Sequence, residues 1–415
     1  MFEHFYCYPA RIKKLRDGPG GLLLEGLIKE LYKSGYANLT AHRHIRAVEH
    51  LIFWLGLENI PISNLSEKLL VCFDRHLNGC QCPGFGRSNR MDLLNSARLF
   101  LKHLQGIGII DASVNEPSTQ DPVLLVEFYE WMRQLRGTSD VTLYNYSHSI
   151  RDLLNRHGDD PRRFNAQILR QFVLEKSQKS GWAAAKTCTT ALRMFFRFLI
   201  AGGKCAATLD GAIPVLAHWR LSSLPKYLQP EEVERIILSC NLNSAVGKRD
   251  RAILLLLARL GFRAGDIVQL RLDDIDWEEA TIQVSGKSRR QVRLPLTQEV
   301  GNAIVAYLLY GRPRTHADEL FIRSRAPFHA FGSHCAVSML VTYAMRRAGV
   351  TCKSRGAAHV LRHSAATSML RQGTSLQDIA AILRHHSIET TQIYAKVDVT
   401  VLRQIAQPWP EVPSC

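Results

Sequence analysis

The segment HVLRHSAATSML, residues 359–370, places His359, Arg362 and His363 at the head of an otherwise apolar helix. Three chemistries fit such a head: metal ligation, anion binding, or a plain solvated helix start. His359 and Arg362 stand three apart and share a helical face, while His363 turns about 100° away. Arg362, three along from His359 on the same face, does not ligate a metal. An arginine fork beside a titratable imidazole suits an anionic oxygen. Val360, Leu361, Ala365, Ala366 and Leu370 pull the segment inward, which weakens the solvated reading.

Other segments carry candidates of the same kind. In LARLGFRAGDIVQLRLDDIDW, Arg263 follows a buried-looking helix and a glycine, with Asp266 three residues on. Asp266 can pair with Arg263 or orient it toward a ligand, and surface Arg–Asp pairs are common. In VSGKSRRQVRLPL, Lys287 sits at a turn between strands, flanked by Arg289 and Arg290. A lysine on a hairpin tip is usually just solvated. In LRHHSIETTQIYAKV, His385 and His386 end one helix and Ser387 caps the next, with Tyr394 nine residues after His385. One continuous helix would hold His385 and Tyr394 on opposite sides, so the break at Ser387 must fold the chain back to bring them together. A separate cluster, VCFDRHLNGCQCPGF, offers Cys72, His76, Cys80 and Cys82. Thiol and imidazole are zinc ligands, and Cys72 and His76 share a helical face, although C-x-C is not the usual knuckle spacing. The plain reading is two buried thiols and a loop.

These residues need helices to hold them. Apolar residues recur at three and four through LTAHRHIRAVEHLIFWLG, LSEKLLVCFDRHL and MDLLNSARLFLKHLQG, which predicts a helical block over 1–112. The polar stretch DASVNEPSTQDP reads as a linker. A second helical block over 118–205 holds VLLVEFYEWMRQLRG, VTLYNYSHSIRDLLNRHG, FNAQILRQFVLEKSQ and AAKTCTTALRMFFRFLIAGG. The two blocks echo each other at an offset of about a hundred residues. The third block, 222–408, opens at LPKYLQPEEV, where Pro230 followed by Glu231 and Glu232 is a helix start. A helix over KRDRAILLLLARLG stops at Gly261. DDIDWEEATIQVSGKSRRQVRLPL alternates as two or three short strands with a turn over 286–289, and helices return after it. The fold class is therefore mainly α and multidomain, with an α+β third block of helices and one small antiparallel sheet.

The chain has 415 residues, 46% of them hydrophobic, and a formal net charge of +16. That length suggests two or three domains, and that charge calls for a polyanionic partner, nucleic acid first. No run approaches the roughly 18 apolar residues that span a bilayer, and the N-terminus lacks a signal-peptide core. Ten unevenly scattered cysteines read as reduced thiols of a cytoplasmic protein.

Taken in order, Arg263, Lys287, His359 with Arg362, His385 and Tyr394 resemble the tyrosine recombinase family, the phage-integrase type of site-specific DNA recombinase. LGFRAGDIVQLRLDDID looks like the family's first arginine box, HVLRHSAATSML its second, and LRHHSIETTQIYAKV its closing segment. The likeness spans about 220–400, and the middle block resembles the family's core-binding, SAM-like helical domain. One departure is Arg384, where the family often has glycine; it puts the geometry of that turn in question and suggests an added phosphate contact.

The resemblance implies a nucleophilic Tyr394, with Arg263, Arg362 and His385 on the oxygens of the scissile phosphate. It implies Lys287 as general acid, His359 as base or phosphate holder, and Asp266 positioning Arg263. It needs no cofactor and no metal. The product is a 3′-phosphotyrosyl link that keeps the energy of the phosphodiester, so rejoining needs no ATP. A free phenol has a pKa near 10, so ionising it at pH 7 costs roughly 4 kcal/mol, and Tyr394 needs cations or a base beside it. The implied partners are double-stranded DNA, a homo-oligomer (a tetramer on two sites) and other recombinases acting alongside. The two later blocks would clamp the duplex across a linker at 222–225. The first block would add DNA or protomer contacts, and the tail VTVLRQIAQPWPEVPSC would begin helically and dock on a neighbour. The expected role is integration, excision or transposition of a mobile element. A type IB topoisomerase shares this chemistry. A non-catalytic DNA-binding protein would lack at least one of the six positions, and a basic membrane-surface protein would need a long amphipathic helix that is missing.

Overall fold

The computed structural model describes residues 2–397 apart from 5, 7, 86–88, 112–120, 217–223, 286–290, 352–355 and 386. The chain separates into two compact units, 111–220 and the remainder. Among the described residues, each block of the sequence has a main apolar core, and a fourth, smaller cluster gathers Ala366, Ile379, Leu383 and Tyr394 in the third block.

The first block comprises α1 (Pro9–Arg16), α2 (Gly21–Lys33), α3 (Asn38–Leu57), α4 (Glu67–Leu77) and α5 (Arg90–Gly106). Their apolar stripes meet in a core around Leu27, Ile45, Val48, Leu51, Phe73 and Phe100. Ser66 caps α4 by accepting from the Leu69 amide, and Asn89 caps α5 by accepting from Met91. The block shares a compact unit with the third block, and the Phe328 amide donates to the Ser34 carbonyl at 3.0 Å.

The second unit comprises α6 (Val123–Arg136), α7 (Asp140–His157) and α8 (Ala166–Ala201). The sequence predicts two helices where α8 runs, and the break is at Gly181, with φ 78 and ψ 173. Only glycine takes that conformation without strain. Phe128, Ile150, Phe172, Leu192 and Phe195 fill its core.

The two helical blocks share an order of elements. A 3-10 turn, Ile62–Asn64, precedes α4, and another, Pro161–Arg163, precedes α8. Thus α2, α3, α4 and α5 parallel α6, α7 and the two halves of α8. The last junction differs: a segment that includes the loop over 78–85 in the first block and the kink at Gly181 in the second.

The third block contains α9 (Pro230–Leu238), α10 (Ala245–Arg259), α11 (Ala264–Gln269), α12 (Gln298–Tyr310), α13 (His334–Arg347), α14 (Ala357–Arg371) and α15 (Leu376–Ile382). Ile253 through Leu257 are all buried, so the second half of α10 is apolar all round and packs in the core. Strands β1 (Ile275–Asp276), β2 (Thr281–Ser285) and β3 (Gln291–Pro295) form an antiparallel sheet in that order. Ile282 pairs with Leu294, and these two with Val284 turn one face into the core. The segment before α9 is pinned to α14, where the Leu228 amide donates to Ser364 Oγ at 2.8 Å. Short 3-10 turns, Ile388–Thr390 and Gln392–Val397, follow α15. The expected helical start of the tail lies outside the described residues.

Candidate active site

Gly261 sets the geometry. It follows α10 at φ 59, and a Cβ there would meet Leu383 Cδ2 at 2.4 Å. The end of α10 and the end of α15 therefore approach closely enough for a third element, α14, to bind both. Arg362, only 2% exposed, does this. Its guanidinium donates to the Gly261 carbonyl and to the Leu383 carbonyl. Two residues past Gly261 is Arg263, whose Nη2 donates to the Arg384 carbonyl at 2.9 Å. Motifs 120 residues apart thus converge through arginine-to-carbonyl bonds.

Asp266 meets Arg263 at its backbone. Its Oδ2 accepts from the Arg263 backbone amide at 3.0 Å and from Arg384 Nη2 at 2.6 Å. Arg384 keeps the positive φ that a glycine would favour, 54°, and turns its side chain inward. That side chain is 5% exposed and lies over the Phe262 ring, so it does not reach out for a phosphate as the sequence suggested. Its Nε and Nη1 are buried without protein partners. Among the described residues, Arg263, Arg362 and Arg384 thus lie close enough to feel one another's charge, with the Asp266 carboxylate beside them. Burial first, then the charges of Arg263 and Arg384, pull Arg362 down to about 9, so it stays charged at neutral pH.

Tyr394 is 1% exposed. Burial pushes its phenol up to about 12, against the pull of Arg362. Its oxygen lies 2.7 Å from His363 Nδ1. His359 is exposed and stacks edge-on against His363, with ring centroids 4.3 Å apart. Lost hydration, then the charges of Arg362 and Arg263, hold its pKa below the ordinary value. His363 is held at about 4 by burial, then by His359, Arg362 and His385. His385 is also at about 4, through burial and then Arg362 and Arg263, and its Nδ1 lies 2.7 Å from Thr391 Oγ1. The chain does turn back after Ser387, which carries Tyr394 under α14.

Arg263, Arg362, His359 and His385 thus gather around one cationic pocket, with Tyr394 beside it. Lys287, Arg289 and Arg290, between β2 and β3 in the sequence, lie outside the described residues, as does His386. The neighbour of Tyr394 is His363, which helical spacing turns about 100° from Arg362 and keeps on the His359 side. A signal was present: i and i+1 on a helix can serve one site if the partner approaches along the helix rather than facing it.

The cysteine cluster also rearranges. Cys72 is exposed on α4, away from the other three residues, because Leu70 and Phe73 take that helix's buried face. His76, Cys80 and Cys82 are joined instead by His50 of α3.

Residues 226–400 match the Phage integrase family. The chain is 33% identical over 413 residues to the integrase/recombinase y4rA of Sinorhizobium fredii (strain NBRC 101917 / NGR234), covering 98% of this chain and 99% of that one. It is 30% identical to the tyrosine recombinase XerA of Thermococcus kodakarensis (strain ATCC BAA-918 / JCM 12380 / KOD1), over 68% of this chain and 94% of that one. Among solved structures, the XerH site-specific recombinase bound to its palindromic difH substrate superposes with a TM-score of 0.56 at 18% identity, over 83% of this chain and 96% of that one. A lambda integrase dimer bound to a core site gives 0.53 at 17%, over 70% and 98%. The family match and these relatives make the chain, mainly helical with a three-stranded antiparallel sheet, a DNA breaking-and-rejoining enzyme. The chain belongs to the tyrosine recombinase, or phage integrase, family and is a site-specific integrase/recombinase that binds DNA.

Proposed function

We propose that Tyr394 attacks the scissile phosphate of a DNA strand while Arg263, Arg362 and His385 hold its non-bridging oxygens. The observation that carries this reading is that Arg263, Arg362 and His385 come together beside Tyr394, a cluster of cationic and polar donors that suits a phosphate. The P–O5′ bond breaks as the Tyr394 oxygen bonds to phosphorus. The phenol proton passes to His363 and the 5′ oxygen takes a proton from Lys287. His359, open to solvent beside Arg362, steadies the phosphate. The link formed is a 3′-phosphotyrosine, and attack by a 5′ hydroxyl reverses the step.

Burial holds the Tyr394 phenol above its ordinary pKa and His363 below its own, so proton transfer between them is uphill in the resting site. The nucleophile is therefore silent until DNA binds. A phosphate beside the histidines makes the imidazole more basic, and this couples attack to a correctly seated backbone.

The blocks 1–112 and 118–205 act as DNA-gripping domains and 222–408 as the catalytic domain. The net charge of +16 supports a duplex-bound assembly. The working unit is a tetramer on two sites in the cytoplasm, mobilising a genetic element, alone or with partner recombinases. The test is adduct formation on nicked DNA drawn from around the ends of the gene's own element. Wild type yields an SDS-resistant protein–DNA adduct. Tyr394→Phe binds with equal affinity and yields none. An adduct persisting in Tyr394→Phe would remove Tyr394 from the role.

A further inference from the structure

We propose that His50, His76, Cys80 and Cys82 form a tetrahedral zinc site that ties the α4–α5 loop to α3 in the first helical block. One donor atom from each of the four lies within 4.8 Å of all the others. Cys80 Sγ is 3.2 Å from His50 Nε2, and Cys82 Sγ is 3.4 Å from His76 Nε2. Zinc with Zn–S near 2.3 Å and Zn–N near 2.0 Å gives sulfur-to-nitrogen edges of roughly 3.5 Å. The longest edge needs to close by about 1 Å to fit such a tetrahedron. The Cys82 amide points at Cys80 Sγ at 3.4 Å, the kind of outer hydrogen bond that steadies a metal-bound thiolate.

The comparison between the two helical blocks adds an independent argument. His50 is the thirteenth residue of α3, and the thirteenth of α7 is Asp152. His76 is the tenth residue of α4, and the tenth of α8 is Glu175. In the second block a cation joins this pair: Arg156 donates to Asp152 at 2.8 Å and to Glu175 at 3.1 Å. In the first block the residues at those positions are two imidazoles, and the α4–α5 loop brings two thiols to them. A metal ion there does the joining that Arg156 does in the second block. Phe85 of that loop stacks on His50, with centroids 4.5 Å apart, and Arg46 donates to the Gly84 carbonyl. The metal would thus fix one wall of a cavity lined by Arg43, Arg46, Asn89 and Ser96.

The test is metal content of the full chain purified without chelator or nickel resin. One zinc per chain is expected, lost in Cys80→Ser and Cys82→Ser and retained in Cys72→Ser. Cobalt replacing it should give thiolate charge-transfer bands and the visible bands of a tetrahedral ion. Because the serine variants risk misfolding, alkylation of wild type supplies a second readout. With zinc bound, Cys80 and Cys82 resist alkylation while Cys72 reacts; after chelation all three react, and added zinc restores protection. Zinc below about 0.2 equivalents with no cobalt bands after thiol reduction overturns the site. So does retention of zinc in both loop variants, or its loss in Cys72→Ser.

Discussion

His359 and His363 are four residues apart on one helix, yet they meet different neighbours. His359 faces solvent and the arginines, whereas His363 touches the Tyr394 oxygen at 2.7 Å. Removing the base costs about 10²- to 10⁴-fold in rate. His363→Ala should therefore slow adduct formation by at least about a hundredfold, and His359→Ala should chiefly weaken binding at the cleavage site. Wild-type cleavage rates in His363→Ala would sink that assignment. The same depressed histidines make stability depend on pH. His363 and His385 sit at about 4 when folded, below an unfolded value near 6.5, so the unfolded chain binds more protons between those limits. Their contribution is complete above about pH 6.5 and drains away as the pH falls toward about 4. The DNA-free melting temperature should fall across that window, and His363→Gln should flatten the slope. An unchanged slope would show that His363 titrates normally.

The turn after α15 shows how an element can absorb an unfavourable residue. A non-glycine residue at φ 54 costs about 1–2 kcal/mol, and Arg384 is held there by Asp266 and the Phe262 ring. Asp266 in turn caps α11 through the Arg263 amide, so one carboxylate joins two elements. Asp266→Ala strands buried guanidiniums and should cost about 3–5 kcal/mol. Arg384→Gly relieves both the backbone and the unpaired charge, so adding it to Asp266→Ala should restore much of the loss. Additive melting shifts in the double variant would mean that the pair is not coupled. The helices themselves were legible from periodicity, and the two halves of α8 were readable as separate because Gly181 lies between their apolar patterns. The inward turn of Arg384 was not, since it depends on Phe262 and Asp266, both more than a hundred residues away.

At the scale of the whole molecule, charge is the dominant quantity. Neutralising phosphates releases counterions, with log K falling by about 0.9 for each phosphate per decade of salt. A chain of net charge +16 working on duplex DNA should show a slope of magnitude about five or more. Titrations between low and moderate salt measure it, and a slope near zero would be incompatible with a backbone-gripping enzyme. Tyr394→Phe should leave the slope unchanged, because the nucleophile contributes no charge to binding.

The sequence by itself determined the class of chemistry. The order Arg263, Lys287, His359–Arg362, His385, Tyr394 and the basic composition are local facts, and the alternation of apolar residues dictates helices and a small sheet wherever they fold. Tertiary structure decided which side chains meet. It put His363 rather than His359 against Tyr394, gave Asp266 to Arg384, and replaced Cys72 with His50 beside the loop cysteines. Each pairing depends on how helices cross, and crossing follows from the packing of buried faces, which spacing along one chain does not encode. That is why a helix's own period points to a face but does not say what will face it.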